Sequence, residues 1–207
     1  FHIHQIRESW EVTPTALKLE VVMRHLRNKS PKELADLTGL TEANVRRCRM
    51  LLTFDKKYLD MSLRDRSERI TGDFFVQMYP VLELIKGEYP GFYKELGRNG
   101  IIDRMVAKYE NKEIGAVTEF RDFANIIRAK KIGAPSRRID RVVQDLVTTP
   151  TSIKAAFNEE AKEYWRAERI RLSSERLIRS LNRLEITKMR GRPPLFASLR
   201  KLRSEID

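Results

Sequence analysis

A single cysteine, Cys48, stands among 207 residues, so no disulfide can close within the chain, and this usage suits a reducing compartment. With one cysteine and three histidines, a cysteine-rich structural zinc site is excluded. His2 and His4 have no third ligand at ligand spacing and read as a chance pair, so neither a metal nor a cofactor is expected. No apolar run approaches the roughly 18–20 residues that a membrane-spanning helix needs, and no signal peptide opens the chain. The expected setting is therefore the cytoplasm, away from membranes. A glycine-rich phosphate loop, a Ser/His/Asp set and a Cys/His pair are all missing, so nothing points to an enzyme. Period-two alternation of β-branched residues is absent too, which leaves no candidate strand. Neither an internal repeat nor a low-complexity tract is found. The first residue is Phe1 rather than Met, so the chain reads as a piece of a longer protein.

What is abundant is positive charge: 41 Lys+Arg against 29 Asp+Glu, a formal net charge of +12. The excess is uneven. Residues 1–95 carry +2, residues 96–160 carry +3 and residues 161–207 carry +7. Such a field favours polyanions over a Debye length of about 8 Å at physiological salt. A soluble helix face would carry similar charges, so charge by itself leaves both readings open.

The start signals of helices are legible along most of the chain. Thr13-Pro14 pairs an N-cap oxygen with a proline whose missing N–H costs nothing, ahead of an apolar face of Leu17, Leu19, Val21, Val22 and Leu26. Ser30-Pro31-Lys32-Glu33 makes a capping box. Thr41 caps a third helix to about Leu52, Asp55 starts a short fourth through Leu63, and a fifth runs from about Asp73 to Lys86. Asn99, Thr118 and Ser136 are placed to cap helices over Gly100–Tyr109, Glu119–Lys131 and Arg137–Val147. From about Thr151 to Ile186 one long amphipathic helix is expected, with a break near Ser173-Ser174. Gly191 and Pro193-Pro194 stop it, and a short helix follows over Leu195–Ile206. The fold class is all-α, with a helix-turn-helix domain over residues 1–95 and a basic helical region over 96–207. Phe74, Phe75, Tyr79, Phe120 and Phe123 recur at helical spacing and are expected in the core.

The sharpest constellation lies between Pro31 and Met50. Two short helices joined tightly must approach closely, which asks for a small residue in the first, and Ala35 supplies it. The turn asks for a backbone at positive φ, and Gly39 supplies that. Leu34, Leu40, Val45 and Cys48 fall where side chains fill the wedge. This leaves Thr41, Glu42, Ala43, Asn44, Arg46 and Arg47 on the outer face and N-terminal end of the second helix, the part that enters the major groove in a DNA-binding helix-turn-helix. Asn44 suits adenine, and Arg46 or Arg47 suits guanine or a phosphate. Ser30 and Lys32 suit a phosphate at the start of the first helix. Glu42 either accepts from cytosine or favours the helix N-terminus while facing water. Double-stranded DNA is the expected partner, and the sites of a single helix-turn-helix imply a twofold dimer.

These pieces, in this order, resemble the central DNA-binding domain of ParB-type plasmid- and chromosome-partition proteins. The similarity runs from His4 to about Ile85, through Ile6-Arg7-Glu8, Val12-Thr13-Pro14, the helix pair with Leu51-Leu52, the short helix around Tyr58–Leu63, and Arg69-Ile70-Thr71. The resemblance implies a palindromic DNA site, a partition ATPase among the partners, association with a nucleoid or plasmid, and DNA contacts that include Arg69 and Thr71. It also implies an N-terminal CTP-binding domain upstream of Phe1. Only Arg7 and Glu8 fit that domain's nucleotide motif, and Gly72-Asp73-Phe74-Phe75 stands where the family carries a glycine-histidine-alanine-arginine run, which marks a divergent branch. Residues 96–207 resemble no part of that family. There, Arg190-Gly191-Arg192-Pro193 is either the core of an AT-hook, with Arg190 and Arg192 in a narrow minor groove, or a helix-breaking linker. Rival readings are a transcriptional repressor, a DNA-targeting part of a nucleotide switch or enzyme, and a protein-interaction scaffold.

Overall fold

Ser30, Pro31 and Glu33 open a helix in the manner that their order predicts. The Ser30 hydroxyl oxygen accepts from the Glu33 amide at 3.2 Å, and Glu33 Oε2 accepts from the Ser30 amide at 2.8 Å. Those bonds satisfy two donors that the first helical turn leaves open. The resulting helix, α2 (Pro31–Thr38), ends at Gly39, whose φ of 70° lies in the left-handed region that only glycine enters freely. Thr41 then caps α3 (Glu42–Leu51) by accepting from the Asn44 amide at 3.2 Å.

The computed structural model describes residues 11–26, 29–65, 69–183, 197, 198 and 201. The remaining helices among these are α1 (Val12–His25), α4 (Lys56–Met61), α5 (Gly72–Glu88), α6 (Pro90–Glu110), α7 (Glu119–Ala129), α8 (Ser136–Thr148), α9 (Ile153–Glu160) and α10 (Lys162–Asn182). A 3₁₀ turn, Lys130–Ile132, follows α7. No strand occurs among the described residues, so the fold is all-α. None of their helices is long and apolar enough to cross a membrane.

Residues up to Lys162 form one compact unit, and the chain from Glu163 forms a second. The first is organised on α5, which touches α1, α3, α6 and α7. Phe74 and Phe75 sit side by side on it, fully buried. Phe74 lies 5.1 Å from Phe120 and 4.9 Å from Tyr109, ring centre to ring centre, while Phe75 lies 5.3 Å from Phe54 and 5.7 Å from Tyr58. Aromatic residues at adjacent positions thus reach opposite flanks of one core. The boundary expected after residue 95 falls inside α6, whose two straight parts meet at Gly97 (φ 68°, ψ 158°).

Several expected caps are spent elsewhere. Thr13 lies inside α1, buried, and its hydroxyl bonds Ser62 Oγ at 2.8 Å, so Glu11 takes the N-cap position. Asp55 and Asn99 make no cap bonds and instead bond each other, Asn99 Nδ2 donating to Asp55 Oδ2 at 2.7 Å. Thr118 makes no side-chain cap bond, since Glu119 Oε1 reaches back to the amides of Gly115 and Ala116. Ser136 lies within α8, after Pro135 at the N-cap. Of the apolar face expected on α1, Leu19 is buried and Val21 is 55% exposed, and Ala16 joins Leu19 in the core. The long C-terminal helix breaks at Ala161, between α9 and α10, and runs unbroken through Ser173-Ser174. The helix expected over Leu195–Ile206 lies outside the described residues, apart from 197, 198 and 201.

Polar links tie the first unit together across long stretches of chain. The Tyr58 hydroxyl donates to Asp103 Oδ1 at 2.8 Å, and Lys57 Nζ donates to both oxygens of the same carboxylate at 3.0 Å, which joins α4 to α6. Burial pushes the Tyr58 phenol up to about 12. Lys108 is buried and donates to the carbonyls of Thr149 and Thr151, so an ammonium from α6 closes the end of α8. Burial also holds that ammonium below its ordinary range, against the pull of Glu113.

Candidate nucleic-acid interface

Val45, Cys48 and Leu51 recur every three residues along α3 and are buried, against α1, α2 and α5. Cys48 is thus a core residue. Burial pushes its thiol up, which keeps it protonated and unreactive. The spacing of these three residues decides what the rest of α3 presents. Glu42, Ala43, Asn44, Arg46 and Arg49 are exposed, as is the capping Thr41. The outer face and N-terminal end of α3 are open to solvent, and no described element lies over them.

Each residue expected to touch DNA has a definite surrounding. Ser30 and Lys32 are exposed at the start of α2, where Lys29 also reaches Glu33 at 3.3 Å. The Ser30 amide holds the Glu33 carboxyl below the usual carboxylate range, so this helix end carries a negative charge of its own. Arg46 pairs with Glu42 one turn back on α3, its side chain still 62% exposed. Glu42 therefore faces both the helix N-terminus and this arginine. Arg47 is turned toward α5, where its guanidinium donates to the Asp73 carboxylate. Ala43 and Asn44 stand beside the Thr41 cap.

Arg69 and Thr71 have different surroundings. Arg69 makes a two-bond pair with Glu11, at 2.9 and 2.7 Å, and is only 21% exposed. Thr71 occupies the N-cap of α5 without a cap bond from its side chain. Both line a cavity of about 180 Å³ together with Glu11, Thr13, Ser62 and Asp73. That volume is below the roughly 300 Å³ at which small-molecule sites begin. The pairing with Glu11 spends Arg69 on joining two ends of the fold, a role that its sequence context does not reveal because Glu11 lies 58 residues away. Arg190 and Arg192, like Arg7, Glu8, His2 and His4, lie outside the described residues.

Arg49 was missed by the sequence reading. It is exposed and forms no ion pair among the described residues. Three residues on from Arg46, it lies within about 60° of it around the helix, and that spacing was the available signal. Arg98, also missed, donates to Thr53 Oγ1 at 2.9 Å and stacks 5.1 Å over the Phe54 ring. Among the described residues, no group of His, Cys, Asp and Glu could hold a metal ion. The arrangement offers an amide, two exposed guanidinium groups and two capped helix ends, a set suited to hydrogen-bonding base edges and phosphates. No family model, curated protein or solved structure matches the chain.

Proposed function

We propose that α2 and α3 form a sequence-reading helix-turn-helix that places the N-terminal half of α3 in the major groove of double-stranded DNA. The observation that carries this reading is the division of α3: Val45, Cys48 and Leu51 are spent on the core, while Glu42, Ala43, Arg46 and Arg49 share an outer face and Asn44 is exposed at the capped helix start. Asn44 pairs with adenine and Arg46 with guanine, each good bidentate contact giving about 1–3 kcal/mol of discrimination. Lys32 and the first turn of α2 meet the adjoining phosphates. Arg47, held by Asp73, reaches a phosphate at the groove edge only by exchanging that carboxylate for it. Two copies read a twofold-symmetric site, and the ParB resemblance makes plasmid or chromosome partition the setting.

Selection from a library of random duplexes tests the reading. The chain is expected to enrich one motif, Arg46→Ala and Asn44→Ala are each expected to relax it at one base pair by roughly 5–150-fold, and Lys32→Ala to weaken all sequences alike. Absence of any motif, or an identical motif from the two α3 variants, would sink the proposal.

A further inference from the structure

On α10 every residue from Arg171 to Ser180 is exposed. The carboxylates of this helix are all engaged: Glu163 lies 3.7 Å from Arg166, and Glu168 and Glu175 both pair with Arg171. That leaves Arg169, Arg176 and Arg183 with no carboxylate partner among the described residues. These three are seven residues apart. Seven residues make close to two turns of 3.6, so Arg169 and Arg176 fall in one row with about 10.5 Å between them, Arg183 follows in the turn directly after α10, and Arg166 and Arg179 stand on either side of the row. The same step lands on Lys162 at the start of α10.

We infer that this row is a second nucleic-acid contact, which grips the phosphate backbone of a duplex without reading its bases. The inference rests on DNA as the ligand of α2 and α3 and adds to it a contact indifferent to sequence. Solubility alone asks only for mixed charges of both signs. Here Arg171 absorbs two carboxylates, and the row on the other side of the helix stays unneutralised. The choice of arginine matters as well, because its planar fork grips phosphate oxygens in pairs and is weakly hydrated, whereas lysine offers a point charge. Arg166 and Arg179 lie about 140° apart around the helix with the row between them, so cations cover one broad side of it.

The test compares the full chain with a variant carrying Arg169→Gln, Arg176→Gln and Arg183→Gln, changes that leave helix propensity nearly unaltered. Binding to a random-sequence duplex is followed by fluorescence anisotropy across a salt series, with circular dichroism as the check on helix content. Three lost phosphate contacts are expected to lower the slope of log affinity against log salt by about 2–3 and to weaken binding at least tenfold at low salt. A Lys triple variant is expected to recover most of the slope, which a damaged helix would not do. An unchanged slope in the Gln variant overturns the inference, and so does a chain that uses the row on phosphatidylserine-rich vesicles but not on duplex. The two proposals fail separately: an enriched motif that persists in the Gln variant leaves α3 standing, and a slope that still depends on the row when no motif is found leaves the row standing.

Discussion

Two helices of this chain present arginines to solvent, and they do so in opposite ways. On α3, Arg46 and Arg47 are each held by a carboxylate, Glu42 along the helix and Asp73 across it, and the helix is pinned by three buried residues to three neighbours. On α10, the acidic partners gather around Arg166 and Arg171, and Arg169 and Arg176, with Arg183 just past the helix end, are left without them. Arg46, held along its own helix by Glu42, can be aimed at a single base edge, at the cost of some net charge. An unpaired guanidinium on an open helix is free to settle on whichever phosphate is nearest. The contrast matches what the two contacts are proposed to do: discrimination needs fixed geometry, and grip needs uncancelled charge.

The most severe way to break this comparison is to loosen α5 beneath α3. Phe74 has no exposed surface and touches rings on α6 and α7 as well as its neighbour Phe75. Phe74→Ala is expected to cost about 3–5 kcal/mol, read by chemical denaturation. It should abolish motif enrichment and spare much of the random-duplex binding through α10. Equal loss of both would mean that the two contacts are not separable.

A milder change acts where α1, α3 and α5 meet. A methyl group placed on Gly72 would collide with Thr13 Oγ1 and come within 3.3 Å of Leu51 Cδ2. Gly72→Ala is therefore expected to cost about 1–3 kcal/mol by overpacking and to disturb the Thr13–Ser62 bond. Because Leu51 anchors the end of α3, sequence discrimination should fall with stability, while the salt slope on random duplex stays put. Thermal unfolding and the same anisotropy series check both halves.

The smallest expected effect separates the regions by pH. The Tyr58 phenol, ordinarily near 10, is pushed up to about 12. A raised pKa means that its contribution to stability is complete below pH 10 and is lost as pH rises through 12. The stability of the native chain should therefore fall across that window. Tyr58→Phe, at a cost of about 0.5–1.5 kcal/mol for the lost hydrogen bond at neutral pH, should flatten the decline. Denaturation midpoints at several pH values measure it, and a variant with the native pH profile would show that this phenol does not govern the alkaline limb.

The residues of α2 and α3 were readable because their interactions are local. The Ser30–Glu33 box, the Gly39 turn and the Thr41 cap are each completed within four residues, so neighbouring sequence contains both partners. The same reasoning failed at Thr13, Asp55 and Asn99, whose residue types are equally good caps. Thr13 bonds a serine 49 residues away, and Asn99 and Asp55, 44 residues apart, bond each other. A polar side chain near a helix start has two uses, and the distant one wins where packing brings a partner close and excludes water. Arg47 illustrates the same rule inside the candidate site. Its place on the helix was readable, whereas its engagement with Asp73 was not.

From the order of residues alone follow the all-α class, the limits of α2 and α3, the inward placement of Leu34, Val45 and Cys48, and the surplus of positive charge toward the C-terminal end, because helical period, capping chemistry and charge are properties of adjacent residues. Tertiary structure alone decided which hydroxyls and amides became caps, that the long C-terminal helix breaks at Ala161, and that Arg47 and Arg69 carry a carboxylate. The reason is that these outcomes depend on distances between residues far apart in the chain, which only the packed helices around α5 bring within a few ångströms.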